Sequence, residues 1–414
     1  MKRGAAGDTF GPSMVTLDDV RAARERIRDR IYLSPCARSE TLSRATGCQA
    51  FLKLENLQMT GAYKERGALS RLALLTPEER GRGLVAASAG NHAQAVAYHA
   101  GRLGIPATIV MPEGTPLLKV ANTRSHGARV LMAGTNYDEA YAEARRVEAA
   151  EGLTFVHPFD DPAVIAGQGT VGLEILEQVP AADAILVPVG GGGLVSGVAV
   201  AVKALRPRTR VIGVQAEVLS SMLASLEEGK PVTLEPASTL ADGIAVKRPG
   251  DLTFEHVRAL VDEIVTVSEE EIASAILYLL EREKTVVEGA GAVGVAALMN
   301  QKVRLEGQQV VSVVSGGNID VNVVARVIER GLVRDGRLVR IDVLLLDKPG
   351  QLARVSQVIA SHKANVIEVH HSRAFSDRFG DTVLQLTLET RGRDHVEEIL
   401  RALRERGYQV RRTS

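Results

Sequence analysis

Cysteine is scarce. Cys36 and Cys48 are the only two in 414 residues, and they form neither a disulfide framework nor a CxxC metal pair. A reducing compartment is the natural setting. Net charge is absent as well: 50 basic side chains balance 50 acidic ones. That removes the basic excess which nucleic acid or an anionic membrane surface favours. Long apolar runs are missing, since the stretch from Leu194 to Leu205 is shorter than a bilayer span and is broken by Ser, Gly and Lys. The stretch from Met1 to Met14 carries Lys2 and Arg3 with no apolar run behind them. This excludes an ordinary signal peptide and predicts a frayed tail. Internal repeats and low-complexity tracts are also lacking. The expectation is a cytoplasmic protein with neither nucleic acid nor membrane as partner.

What is present is ordinary globular material, 45% hydrophobic and 24% charged, in a chain too long for one domain. From Ala50 to about Gly331, short apolar runs alternate with helical patterns. Ala50–Glu55, Gly83–Ser88, Ala107–Met111, Ala128–Met132, Ala184–Val189, Arg210–Gln215 and Gln309–Val314 read as buried strands. Asn91–Leu103, Tyr137–Glu151 and Gly167–Gln178 read as helices. Such alternation implies an α/β fold with parallel sheets covered on both faces. Ligands in such folds sit beyond the carboxyl ends of the strands. After Gly331 the pattern changes. Leu338–Leu346, Asn365–Ala374, Thr382–Glu389 and Tyr408–Arg412 read as strands, with helix faces at Leu352, Val355, Val358, Ile359 and at Val396, Ile399, Leu400, Leu403. The order βαββαβ is ferredoxin-like. The expected domains are 1–332, in two α/β lobes, and 337–414, with Val333–Arg337 as linker.

Four segments could carry chemistry. Pro188 and Val189 lead into Gly190, Gly191, Gly192, Gly193 and Leu194, between a strand and a helix. Consecutive glycines free the backbone and remove side chains, so exposed N–H groups and the helix dipole form a phosphate cradle. A flexible turn is the bland alternative. The spacing matches neither GxGxxG nor a P-loop, which points to a smaller phosphate. Ser88, Ala89, Gly90, Asn91 and His92 likewise join a strand to a helix and present N–H groups suited to a carboxylate. A simple Ser or Asn helix cap is the commoner use of such residues. Ser315, Gly316, Gly317 and Asn318 form a third loop of this kind. Lys64, between the Gly61 turn and an apolar helix, would ordinarily be a solvated surface lysine. In a setting that removes its proton it can instead form a Schiff base.

Together these segments resemble the fold-type-II family of pyridoxal-5′-phosphate (PLP) enzymes. The runs Thr239-Leu240-Ala241-Asp242-Gly243 and Glu288-Gly289-Ala290-Gly291-Ala292 are similar to those of its threonine dehydratase (threonine ammonia-lyase) branch. The likeness spans about Thr16 to Gly331. It implies that Lys64 holds PLP as a Schiff base and then acts as general base at Cα. It implies that Asn91 bonds the ring oxygen, that Gly190–Gly193 with Leu194 hold the phosphate, and that Ser315 partners the pyridine nitrogen. Ser88–His92 would take the substrate carboxylate. A Ser hydroxyl does not hold a proton on the pyridine nitrogen, so loss of a β-leaving group is favoured over transamination. The implied reaction converts threonine to 2-oxobutyrate and ammonia, with serine to pyruvate as a side activity.

Some residues depart from the pattern. Tyr63 stands where Phe is common before the lysine. Ala89 stands where related serine racemases carry the Ser that protonates Cα, which disfavours racemisation. Leu223, six positions after Glu217, replaces an acidic metal ligand of those racemases, so no metal is expected. Asp347-Lys348-Pro349-Gly350-Gln351-Leu352 resembles the ACT regulatory family, which implies an amino-acid effector, isoleucine or valine by analogy, and a homo-oligomer, dimer or tetramer. A purely structural dimerisation module is the alternative there. His370 and His371 are adjacent on a strand and point to opposite faces, so they cannot share one metal. Three rivals remain: a serine-specific dehydratase, a serine racemase, and an amino-acid sensor that has lost catalysis.

Overall fold

The computed structural model describes residues 14–372 and 380–413. The tail expected up to Met14 lies outside them except for Met14 itself, as do the last two positions of the strand read over Asn365–Ala374. Two compact units result, Met1–Ile319 and Asp320–Ser414.

Among the described residues the first unit contains ten strands: β1 (Cys36–Arg38), β2 (Gln49–Leu54), β3 (Leu84–Ala87), β4 (Ala107–Met111), β5 (Arg129–Met132), β6 (Thr154–Phe155), β7 (Ala184–Pro188), β8 (Arg210–Ala216), β9 (Glu263–Val267) and β10 (Gln309–Val314). They form a six-stranded sheet in the order β1-β2-β10-β7-β8-β9 and a four-stranded sheet in the order β5-β4-β3-β6. Every pairing is parallel except β1 with β2. The runs β3, β4 and β7 are buried along their whole length, as parallel strands covered on both faces must be. This is the two-lobed α/β architecture with parallel sheets.

The topology brings three loops to equivalent places. β3 ends at Ala87, β7 at Pro188 and β10 at Val314, so the Ser88, Gly190 and Ser315 segments all leave the carboxyl ends of parallel strands. β7 and β10 are direct neighbours in one sheet, and β3 is central in the other.

The helix read from Gly167 begins earlier, at Pro162, and runs to Gln178. The side chain of Asp161 accepts the N–H groups of Ala163 and Val164, and Pro162 occupies the first turn, where its missing N–H costs nothing. This helix packs on the helices Lys64–Ala73 and Gly193–Leu205. Between it and the helix Lys64–Ala73 lies a buried ionic cluster. Arg66 reaches Glu55 at 2.7 Å and Glu174 at 2.6 Å, and Lys53 reaches Glu174 at 2.6 Å.

The second unit begins with the helix Val321–Arg334, so Val333 and Arg334, read as linker, complete a helix instead. Then follow β11 (Leu338–Leu346), the helix Gln351–Ser361, β12 (Asn365–Ser372), β13 (Asp381–Glu389), the helix Arg393–Glu405 and β14 (Gln409–Arg412). The sheet order β12-β13-β11-β14, antiparallel throughout, is the ferredoxin-like arrangement. Its core includes Val355, Val358, Ile359, Val396, Ile399, Leu400 and Leu403 of the helix faces expected, whereas Leu352, in the first turn of its helix, is exposed. His370 and His371 are both exposed on β12.

Candidate active site

A cavity of about 800 Å³ lies in the first unit, lined by Lys64, Ser88, Ala89, Gly90, Asn91, His92, Ser315 and Asn318 among others. Lys64 opens the helix Lys64–Ala73. Its Nζ donates to the Pro158 carbonyl at 2.8 Å. The side chain is half-buried because part of its surface opens onto the cavity, yet the surrounding protein strips its amine of water. Burial therefore pushes the Lys64 pKa down to about 8, against the pull of the Glu288 carboxylate. An amine of this kind is available as a nucleophile and base near neutral pH.

Backbone bonds tie the lysine turn to the loop after β10. Tyr63 N–H donates to the Ser315 carbonyl at 3.0 Å, Gly317 N–H to Gly61 at 2.9 Å, and Glu288 N–H to Gly316 at 3.1 Å. Ser315 is 2% exposed and lines the cavity. The Asn91 side chain is held from both ends. Its Nδ2 donates to Glu288 Oε1 at 2.8 Å, while its Oδ1 accepts from Asn318 Nδ2 at 2.8 Å. Asn318 is itself fixed by donating to the Thr60 carbonyl at 2.7 Å. Glu288 is buried, and burial with the nearby Asp242 charge raises its pKa to about 7, although the Asn91 bond favours the anion.

Two helices present uncapped N-termini here. The helix Asn91–Leu103 follows Gly90, and no side chain caps it. The Ser88 hydroxyl accepts the Gly90 N–H at 3.2 Å instead, so Ser88 serves the turn and Asn91 faces the cavity. His92 is committed elsewhere, with Nε2 3.0 Å from the Val156 carbonyl. Burial and the Lys64 charge lower its pKa to about 3, so it brings no charge to the cavity. The helix Gly193–Leu205 likewise starts without a side-chain cap, after Gly192 at φ +97°. Such termini attract anions through free N–H groups and the helix dipole.

Gly190–Leu194 do not themselves line the cavity. They lie directly behind it, where a Cβ on Gly191 would stand 2.5 Å from the Phe159 ring and one on Gly192 2.8 Å from Thr253. Phe159 and Pro188 both line the cavity, and Phe159 follows the residue whose carbonyl receives Lys64. The lysine amine and the glycine loop thus meet across the segment from His157 to Asp161. At Gly191 and Gly192 this packing leaves no room for a side chain. The donor set as a whole, a desolvated amine, an uncapped glycine-rich helix start and a buried hydroxyl, fits PLP.

The family model for pyridoxal-phosphate dependent enzymes matches residues 27–316. The chain belongs to that family. A second model, for the ACT domain, matches residues 335–406. An L-threonine ammonia-lyase of Thermotoga maritima is 53% identical over 399 residues, covering 96% of this chain and 99% of its own. Among solved structures, maize serine racemase superposes with a TM-score of 0.73 at 36% identity, over 77% of this chain and 98% of its own. The processed form of threonine deaminase isoform 2 from Solanum lycopersicum gives 0.71 at 36% identity, over 79% and 98%. The family's cofactor is the one the site fits.

Glu288 and Asn318 stand inside segments that the sequence marks, but nothing local gives them a role. The segment around Pro158 carries no motif of its own. Asp160-Asp161-Pro162, a helix-start signal, is the one local hint of it.

Proposed function

We propose that this chain is a PLP-dependent L-threonine ammonia-lyase that forms 2-oxobutyrate and ammonia and takes L-serine more slowly. When bound, PLP supplies the electron sink that lets Cα lose a proton and Cβ its hydroxyl. Lys64 would hold the cofactor, and its amine is the base placed to take the Cα proton. Its lowered pKa leaves a useful fraction of neutral amine near pH 7. The N–H groups at the start of the helix Asn91–Leu103 bind the substrate carboxylate, and those of Gly190–Leu194 hold the phosphate. Asn91, oriented by Glu288 and Asn318, keeps an N–H for the ring oxygen. Ser315 offers the pyridine nitrogen a neutral hydroxyl.

The single observation that carries this proposal is the desolvated Lys64 amine sharing one cavity with Asn91, Ser315 and the carboxylate loop. Support also comes from the 53% identity to the Thermotoga maritima protein over nearly all of both chains. A racemase is disfavoured because Ala89, which lines the cavity, has no proton to give the opposite face of Cα.

We further infer that the ACT unit binds a branched-chain amino acid that feeds back on the first unit, in a homo-oligomeric cytoplasmic enzyme. Among the described residues no helix is long and apolar enough to cross a membrane. A substrate panel with ammonia detection tests the proposal. Threonine giving 2-oxobutyrate faster than serine gives pyruvate is the expected result. Preference for serine, or D-serine formation, would replace it. The panel repeated with isoleucine and with valine tests the regulation, which fails if neither changes the rate.

A further inference from the structure

The segment from His157 to Asp161 joins the lysine to the glycine loop. His157 Nδ1 accepts two backbone N–H groups, from Phe159 at 3.3 Å and Asp160 at 2.7 Å, and so folds the segment into a tight turn. Pro158, inside that turn, offers its carbonyl to Lys64 Nζ at 2.8 Å. The Phe159 ring lies against Gly191 and the Phe159 backbone against Gly193. The Asp160 carboxylate accepts the N–H groups of Asp251 and Thr253, each at 3.1 Å. Thr253 Oγ1 in turn donates to the Gly191 carbonyl at 2.5 Å. Asp161 caps the helix Pro162–Gln178 and pairs with Arg71, on the lysine helix, at 3.2 Å.

We propose that His157 is a positioning residue: by stapling this turn it sets the Pro158 carbonyl, and through it the resting place of the Lys64 amine relative to the glycine loop. It rests on the function proposed above for the identity of the reaction alone. Nδ1 can accept only while it carries no proton, so the turn requires the neutral ring. The groups facing His157 are Asp161, which favours its charge, Lys64 and Arg145, which oppose it, the neutral His92, and the rings of Tyr141, Phe155 and Phe159. Burial outweighs Asp161 and lowers the His157 pKa to about 4, so the acceptor persists at working pH.

Accepting the N–H groups two and three residues ahead is also what an Asn side chain does at a helix start. Asn should therefore replace His157, whereas Leu should not. In the holoenzyme, His157→Leu is expected to lower kcat for threonine about 10-fold to 100-fold, as misplacement of a base by an ångström does, with KM nearly unchanged. The Pro158 carbonyl stabilises the Lys64 ammonium, so losing it should also move the rising limb of the kcat–pH profile to lower pH. His157→Asn should restore kcat to within about threefold of the parent. Independently of turnover, hydrogen exchange at the Phe159 and Asp160 amides should accelerate at least about tenfold in His157→Leu and not in His157→Asn. If His157→Leu does not fold, His157→Gln, whose acceptor sits one methylene too far, takes its place. Leu, or Gln in its stead, matching Asn in kcat, pH profile and exchange would overturn the proposal. A parent enzyme inert on threonine while the exchange difference persists would remove the function and leave the staple standing.

Discussion

Asn91 donates through Nδ2 to the Glu288 carboxyl oxygen at 2.8 Å, a contact spanning 197 residues of chain. Its own Oδ1 is taken by Asn318, so the amide has one orientation and its remaining N–H is aimed by the protein. Burial and the Asp242 charge nonetheless raise the Glu288 pKa to about 7, against that bond, which favours the anion.

That has a consequence for stability. A carboxyl whose folded pKa lies above its unfolded value binds more protons in the native state, so its contribution is complete below about pH 4.5 and is lost as pH rises through about 7. The loss amounts to roughly 3 kcal/mol. Glu288→Gln keeps an oxygen for Asn91 and removes the ionisation. Urea midpoints at pH 5 and pH 8 should therefore differ less in Glu288→Gln than in the parent, with the variant the more stable at pH 8. Parallel profiles would contradict this.

Cofactor capture should follow the lysine. With its pKa lowered to about 8, Lys64 is neutral in roughly a tenth of molecules at pH 7, far more than an ordinary lysine. Rebinding of PLP to the apoenzyme, followed by visible absorption, should accelerate with pH and level off just above 8. A rate still climbing at pH 10 would mean that burial does not act on this amine.

Arg66 is 1% exposed and serves two carboxylates, Glu55 and Glu174, two residues beyond the lysine. Arg66→Met leaves both acids without this partner, while Lys53, also buried, still pairs with Glu174. The expected cost is about 3–5 kcal/mol in denaturant unfolding. A loss below about 1 kcal/mol would show that the cluster relaxes readily.

Gly191→Ala puts a methyl 2.5 Å from the Phe159 ring. Overpacking of this kind costs about 1–3 kcal/mol. Because the displaced ring belongs to the His157–Asp161 turn, PLP retention on dialysis should fall along with the unfolding midpoint. Retention equal to the parent would separate the glycine loop from that turn.

Much of the fold was legible because burial writes itself into strands such as Ala107–Met111 and Ala184–Pro188, which are apolar on both faces. β1, β6 and β9 were not, since they are short or only partly buried, with Glu263 and Thr266 interrupting the apolar signal. The site showed the same division. Lys64, Asn91, the glycines and Ser315 stand at strand–helix junctions, where local sequence announces a loop with a purpose. Glu288, Asn318 and His157 act through contacts that no spacing encodes. Their partners are distant in the chain, as with Asn318 and Asn91, or their local bond resembles an ordinary turn, as with His157 and Asp160.

Borohydride reduction of the holoenzyme followed by peptide mass mapping tests the central claim most directly. The predicted result is a pyridoxyl phosphate adduct on the peptide containing Lys64, absent from Lys64→Ala together with the visible absorption and threonine turnover. An adduct on a different lysine, or a Lys64→Ala enzyme that keeps its colour and rate, would contradict the account.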